Sequence, residues 1–418
     1  MSFLTTAARM WLTRSAKPFC FTKEYDQNFP YTDTQQLGLY IHIPFCREIC
    51  SFCPYCKVRY EKQLAQRYID ALTEEIHLVG KQQGNRKKTV TSLYIGGGSP
   101  TLVVDRLAEI IGVVKTYFEI TEGIGIELHP DEVTVSLLQK LKQAGVTKIS
   151  IGIQSFQETF LKVLGRTSSD YETMFQAIRK VAFETVSMDF IFALPGQTFA
   201  LLKQDIDTAF EGGADHIAIY PFIDFSFTEH QIPLMDNREK RKLLDDITSY
   251  CREKGCYRES IWTFSKHGGK KYSSMTRENF LGFGCSATTL LEKQFKINTF
   301  SVEEYIRRIA VHHLPTALTL RFTERQRMVY YLFWTAYTTR VSEADFEGFF
   351  GVPLRKKYGL ELWLAKRLKY ITHHGGIYEM TSKGAFYYHY YENYYTLSYI
   401  DQMWNLLRKK AFPEKIRF

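Results

Sequence analysis

Four of the eight cysteines in this 418-residue chain, Cys46, Cys50, Cys53 and Cys56, fall within eleven residues. They sit in the segment YIHIPFCREICSFCPYC, which begins at Tyr40 with a short apolar run that reads as a strand. The gaps of three and then two residues between Cys46, Cys50 and Cys53 place three thiolates around one small loop. A cubane iron–sulfur cluster needs several thiolates converging at short range. With only three protein ligands, a 4Fe–4S cluster keeps one iron open. An open iron can chelate the amino and carboxylate groups of S-adenosylmethionine (SAM), and an electron from the cluster then cleaves the carbon–sulfur bond. Other readings stay open on spacing alone. Cys50, Cys53 and Cys56 match the first three ligands of a ferredoxin run, whose fourth cysteine and following proline are missing here. Two cysteine pairs can also hold zinc, although a zinc ribbon separates its pairs by many residues. Cys56 reads as a thiol beside the loop rather than as a ligand.

Further polar residues fall at the ends of apolar runs. Gly96-Gly97-Gly98-Ser99-Pro100-Thr101 follows one of them. Three residues without Cβ let a ligand lie against the backbone, where exposed amides would suit a carboxylate or a ribose. Glu127, in Glu127-Leu128-His129-Pro130, can accept from an ammonium or hydroxyl. Gln154 closes Ser150-Ile151-Gly152-Ile153-Gln154 and presents a side-chain amide, and Arg166 follows with a cation suited to a carboxylate. Asp189 lies inside the apolar run Ser187–Phe192, where a carboxylate needs a partner to offset its burial; a ribose diol would serve.

The elements that must position these groups are legible as an alternation. Strand candidates are 39–43, 92–95, 124–128, 148–151, 187–192 and 216–220, with amphipathic helices expected at 61–79, 104–118, 133–143, 171–183 and 199–212. Asp131 is the expected N-cap of the third helix. Six βα units in a row predict an α/β fold, a parallel sheet closed or partly closed into a (β/α)6 barrel with helices outside. Ligands then belong at the carboxyl ends of the strands. Residues 224–320 have few clear periods and read as an extension of this core. After Phe322 come three expected helices, 323–337, 352–358 and 360–368, and a hairpin at 370–380 around His373-His374-Gly375-Gly376. Together these suggest a smaller winged-helix-like C-terminal domain. The division expected is 1–36 N-terminal extension, 37–225 core, 226–316 core extension with a substrate-closing segment, and 317–418 C-terminal cap.

Composition bounds the rest. Hydrophobic residues make up 45% and charged residues 24%, ordinary for a globular protein. The net charge of +9 is a mild bias compatible with an anionic ligand. A secreted disulfide framework is not indicated, because half the cysteines are clustered and no signal peptide precedes them. No apolar run reaches a bilayer span. A cytoplasmic, reducing location is therefore expected. The first 23 residues carry Arg9, Arg14 and Lys17 and no acid; they are weakly like a transit peptide, and an amphipathic helix lying on the body of the protein is the preferred reading.

With these residues in view, the chain from about Leu37 to Phe225 resembles the radical SAM core of the oxygen-independent coproporphyrinogen III oxidase (HemN/HemW-type) family. That family includes the heme chaperone, anaerobilin synthase and the class C radical SAM methyltransferases. The segments that carry the resemblance are YIHIPFCREICSFC, GGGSPT, ELHP, SIGIQSF, LGR, MDFIFALPGQT and HIAIYP, in family order. By this resemblance Cys46, Cys50 and Cys53 are the cluster ligands, and Tyr40, Phe52, Gly97 and Glu127 contact the SAM bound to the cluster. Gly98, Ser99, Gln154, Arg166, Asp189 and Ile223 match contacts to a second SAM found in some members. Residues 262–287 resemble the element that closes over the substrate. The implied activity is cleavage of SAM to a 5′-deoxyadenosyl radical acting on a tetrapyrrole, by oxidative decarboxylation or ring opening. A two-SAM C-methyltransferase or cyclopropanase is the alternative, and a non-enzymatic heme chaperone the second. Implied partners are a small-molecule substrate and an electron donor such as flavodoxin or ferredoxin, with no specific nucleic acid, no membrane span and a monomeric state. One departure stands out. The decarboxylating oxidases carry a fourth cysteine two positions after the third ligand, the heme chaperone none, and here Cys56 comes three after.

Overall fold

The computed structural model describes residues 3–23, 28–84, 86–228, 232–267 and 278–418. The chain opens with helix α1 (Phe3–Thr13) and strand β1 (Cys20–Thr22). Then come β2 (Leu37–Ile43), β3 (Phe45–Cys46), β4 (Val58–Arg59), α2 (Lys62–Gly80), β5 (Lys88–Val90), β6 (Leu93–Gly97), α3 (Val104–Tyr117), β7 (Phe118–Ile120) and β8 (Ile124–Leu128). They are followed by α4 (Val135–Gln143), β9 (Lys148–Gln154), α5 (Glu158–Val163), α6 (Tyr171–Lys180), β10 (Thr185–Phe192), α7 (Phe199–Glu211) and β11 (His216–Pro221).

Strands β2, β6, β8, β9, β10 and β11 pair side by side and all parallel. Every residue of β2 is buried. This is the near-continuous apolar pattern of a strand covered on both faces. The expected α/β barrel of six parallel strands is what the chain forms. One local expectation fails: α4 is capped by Thr134, whose hydroxyl accepts from the Leu137 amide, and not by Asp131. Asp131 lies in a single 3-10 turn (Pro130–Glu132) that ends before the helix begins.

The less periodic stretch resolves into α8 (Asn237–Glu253), β12 (Tyr257–Arg258), β13 (Thr263–Ser265), β14 (Asn279–Phe283), β15 (Thr288–Leu290), β16 (Gln294–Asn298), α9 (Val302–Ala310) and β17 (Thr316–Arg321). Strand β14 adds parallel to β2, β15 to β17 continue antiparallel, and β13 covers the other edge beside β11. A buried acid holds this extension to the barrel. Glu75 on α2 accepts from the Gly284 amide (2.7 Å), the Asn298 side-chain amide (3.1 Å) and the Tyr305 hydroxyl (2.6 Å). Burial pushes its carboxyl up to about 7. Glu75→Ala orphans three buried donors, so it should cost about 3 kcal/mol or more of unfolding free energy in a denaturant titration. Glu75→Gln should lose clearly less.

The remaining chain forms α10 (Glu324–Tyr337), β18 (Arg340–Ser342), α11 (Glu343–Phe350), α12 (Leu354–Arg367), β19 (Ile371–His374), β20 (Ile377–Met380), α13 (Ser382–Tyr395), α14 (Asp401–Lys409) and β21 (Lys415–Arg417). The α10 start is a capping box between Thr323 and Gln326. Here too the expectations need correction. The two helices expected at 352–358 and 360–368 are one helix, kinked where Tyr358 leaves helical dihedrals, and α11 was not foreseen. The hairpin β19–β20 gains β18 as a third antiparallel strand. The two chain ends meet: β21 pairs with β1, which pairs with β17 in the main sheet. No helix among the described residues is long and apolar enough to cross a membrane.

Candidate active site

The cysteine loop is closed at its base by the pairing of Phe45 with Val58 and Cys46 with Arg59. The Val58 amide donates to the Pro44 carbonyl and the Tyr60 amide to the Cys46 carbonyl, both at 2.8 Å. Across the loop the Lys57 ammonium donates to the Cys50 carbonyl (2.8 Å) and to the Cys53 carbonyl. Lys57 was not foreseen; a cation four residues beyond a cysteine has no distinctive pattern in sequence. Cys46, Cys50 and Cys53 are half-buried and line one cavity of about 1790 Å³ at the carboxyl end of the barrel. Burial, then the neighbouring Cys53 and Cys50, pushes the Cys46 thiol up to about 12. Burial also raises Cys50, against the pull of Arg166. A positively charged inorganic centre would offset this cost for Cys46 and Cys50. Among the described residues the group of donors gathered within 4.8 Å of one another is His42, Cys56 and Cys285.

Cys56 turns away from the cavity. Its thiol donates to the Phe300 carbonyl (3.2 Å) and lies 3.9 Å from the Cys285 sulfur, both thiols being buried. His42 ties this point to the first strand. Nε2 faces the Cys56 carbonyl at 2.9 Å, which can only accept, so Nε2 carries the proton and Nδ1 accepts from the Tyr40 hydroxyl at 3.0 Å. Tyr40 is buried and stacks on Tyr94, its neighbour across β2 and β6, which lines the cavity. It positions the loop through His42.

The missing Cβ atoms of the glycine run also serve the packing of the chain around it. A Cβ at Gly96 would lie 2.7 Å from the Glu127 carboxylate, at Gly97 2.7 Å from the His42 ring, and at Gly98 2.3 Å from the Phe45 carbonyl and 2.9 Å from the Cys46 sulfur. Nor are the amides free: Gly97 donates to Glu127 (2.9 Å), Gly98 to the Ile43 carbonyl (2.8 Å) and Ser99 to the Phe45 carbonyl (2.7 Å). The run makes room for the cysteine loop and for Glu127, while Gly97, Gly98 and Ser99 also line the cavity.

Apart from Tyr40, the remaining expected residues, Phe52, Gly97, Gly98, Ser99, Glu127, Gln154, Arg166, Asp189 and Ile223, all line the same cavity. Gln154 is placed by strain. Its φ of +69° coincides with a register shift between β9 and β10, so a bulge re-aims the side chain at the strand end. The Arg166 guanidinium donates to the Gly152 carbonyl at 2.7 Å, which holds its head over β9. The Asp189 carboxylate accepts from Ser150 (2.9 Å) and Ser187 (3.2 Å), and burial pushes it up to about 7. Ser187 also meets His216 Nδ1 at 2.8 Å, and His216 Nε2 lies 3.8 Å from Glu259. His216 and Glu259 line the cavity and were not foreseen, although His216 opens the HIAIYP run.

The other wall comes from the end of the chain. Tyr337, Arg340, Met380, Glu392, Thr396 and Trp404 line the cavity opposite the strand ends. Trp404 stacks on Phe225 with ring centres 5.9 Å apart and reaches Tyr55 of the cysteine loop at 6.0 Å. Arg408 donates to the Pro54 carbonyl, and Asp401 accepts from the Ser226 amide (2.7 Å) and hydroxyl (2.8 Å). Residues 272–277, part of the expected closing element, lie outside the described residues. Trp262, Thr263 and Phe264 of the same element are buried at β13, while Cys285 and Ala287 are buried after β14.

A family model described as "Radical SAM superfamily" matches residues 40–209. The heme chaperone HemW of Bacillus subtilis (strain 168) is 30% identical over 307 residues, covering 69% of this chain and 80% of the relative. The oxygen-independent coproporphyrinogen III oxidase of Cereibacter sphaeroides (strain ATCC 17025 / ATH 2.4.3) is 26% identical over 317 residues, 69% of this chain and 70% of that protein. Among solved structures, one described as "Coproporphyrinogen III oxidase (HemN) from Escherichia coli is a Radical SAM enzyme." superposes with a TM-score of 0.75 over 88% of this chain and 93% of that one. Sequence identity in that pair is 19%, and the likeness is one of fold.

Proposed function

The chain belongs to the radical SAM superfamily, in its HemN/HemW-type group, and from that premise we propose that it is an enzyme that cleaves SAM and acts on a tetrapyrrole. The observation that carries this reading is the sharing of one 1790 Å³ cavity by Cys46, Cys50 and Cys53, the strand-end polar groups and the aromatic C-terminal wall. A 4Fe–4S cluster on the three cysteines would supply the electron that cleaves SAM to a 5′-deoxyadenosyl radical. Lys57 and the His42–Tyr40 pair hold the loop in place. Glu127, fixed by the Gly97 amide, offers an acceptor beside the loop for an ammonium or hydroxyl. Trp404 and Tyr337 on the opposite wall, with Tyr220 at the end of β11, give the cavity large apolar faces, as a flat macrocycle requires.

The same proposal places a second SAM among Gly98, Ser99, Gln154, Arg166, Asp189 and Ile223, and a flavodoxin or ferredoxin as electron donor. It also divides the chain into the extension 1–36, core 37–225, closing segment 226–316 and winged-helix-like cap 317–418. Arg166→Ala combined with Asp189→Ala should spare iron loading and reductive SAM cleavage, yet lower product formation by about a hundredfold, the loss of two charge-assisted contacts. Because Asp189 ionises only on passing about pH 7, SAM binding at this second position should strengthen as pH rises through 7. Asp189→Asn should flatten that profile, and an unchanged profile would remove Asp189 from the site.

The deciding experiment is anaerobic incubation of reconstituted protein with SAM, dithionite and candidate tetrapyrroles, with product masses read out. A mass loss equal to decarboxylation, or the mass of an opened ring, supports the proposal. A gain of a methyl or methylene unit selects the two-SAM methyltransferase or cyclopropanase instead. Stoichiometric heme binding without turnover selects a heme chaperone, the reading favoured by the 30% identity to HemW.

A further inference from the structure

The kinked helix α12 turns an apolar face outward. Leu360 (55% exposed), Trp363 (62%), Leu364 (46%) and Leu368 (41%) follow one another at helical spacing, so they form one stripe on the solvent side. Trp363 is the most exposed of the large apolar residues described. The helix contributes its opposite side, Leu354, Tyr358 and Leu362, to the small core of the C-terminal region, so the outward stripe is additional to what folding uses.

The charge around the stripe has one sign. Lys356, Lys366, Arg367 and Lys369 are exposed around it and make no ion pair among the described residues. The acid of this stretch, Glu361, is drawn off to Arg14 at 2.5 Å. That ion pair ties α1 to α12, and Arg325 does so again, donating to the Leu12 carbonyl (3.2 Å) and the Lys357 carbonyl (2.9 Å). Helix α1 brings a second exposed apolar pair, Met10 (42%) and Trp11 (52%), with the Arg14 guanidinium 4.6 Å over the Trp11 ring.

We infer that α12, with α1 beside it, docks on the surface of an anionic phospholipid bilayer. Leucine and tryptophan side chains enter the boundary between headgroups and acyl chains, where the indole ring is stable, while long basic side chains remain among the phosphates. Each cation near an anionic leaflet adds attraction that salt screens. Duplex DNA fits the cations but not the stripe, because the residues that would enter a groove offer no hydrogen-bond donor or acceptor. This inference does not depend on the proposed reaction.

The test uses the full-length protein and flotation with vesicles of phosphatidylcholine alone or with about one-third phosphatidylserine. Binding to the anionic vesicles, at least about tenfold stronger than to the neutral ones and weakened by salt, is expected. Trp363→Ser with Leu364→Ser, and separately Lys366→Glu with Arg367→Glu, should each lower it about tenfold while leaving the melting temperature unchanged. Four outcomes overturn the inference. They are absence of vesicle binding, binding that neither pair alters, and binding that only the charge reversal alters, including retention of duplex DNA with the serine pair present. The fourth is self-association that the serine pair abolishes, which would make the stripe a contact between copies of the chain.

Discussion

Cys46→Ala, Cys50→Ala and Cys53→Ala are each expected to leave the reconstituted protein with almost no iron and no SAM cleavage, whereas Cys56→Ala keeps both. The difference follows from where the sulfurs point. The first three line the cavity, while Cys56 is buried against Phe300 and Cys285 on the far side of the loop. Two ligands cannot hold a cubane against hydrolysis and oxidation, so removing any one of three is not graded. Removing the Cys56 sulfur forfeits one small buried group, about 1 kcal/mol of stability and nothing at the cluster. Iron per chain and 5′-deoxyadenosine formation under dithionite, measured for all four variants, check this. Loss of iron in Cys56→Ala with retention in Cys46→Ala would overturn the ligand assignment.

Gly98→Ala is expected to be nearly as damaging, although it removes no ligand. The added methyl would sit 2.3 Å from the Phe45 carbonyl and 2.9 Å from the Cys46 sulfur. One of these is backbone, and the backbone is pinned there by the Gly98 and Ser99 amides and by the Phe45–Val58 pairing. Overpacking against a fixed main chain costs about 1–3 kcal/mol, and the strain is relieved most easily by moving the cysteine loop. Iron loading should fall about tenfold or more while the fold persists by circular dichroism. Gly112→Ala, on the outward side of α3 with open space around its Cβ position, is the control and should load iron normally. Equal loading by both variants would show that the close approach at Gly98 is not what shapes the loop.

The architecture was legible because its determinants are local. Short apolar runs alternating with amphipathic ones can bury both faces of a parallel sheet only under covering helices, so β2, β6, β8, β9, β10 and β11 with α2, α3, α4, α6 and α7 follow from periodicity, while β3, β4, β5, β7 and α5 do not. The gathering of Cys46, Cys50 and Cys53 was legible for the same reason: eight residues of loop bring them together whatever the rest of the chain does. Gln154, Arg166 and Asp189 could be assigned to one face because parallel strands share a carboxyl end. Helix starts were less secure. Thr134 and Asp131 are both good caps, and the choice between them depends on how the preceding turn packs.

Contacts across long separations were not legible. Cys56 meets Cys285 across 229 positions, and Trp404 meets Tyr55 through a helix that the aromatic composition alone does not aim. That the missing Cβ atoms of the glycine run admit His42, the Phe45 carbonyl and Glu127 is likewise a matter of long-range packing. Nor does the sequence tell that the Tyr40 hydroxyl reaches His42 and, through it, the Cys56 carbonyl. Sequence by itself determined which chemical groups stand at strand ends, because strand direction and side-chain alternation are properties of the local chain. Only the tertiary structure decided which of those groups face the cavity and which support the loop from behind. That choice rests on close packing between segments far apart in the chain, where a single methyl group is the margin.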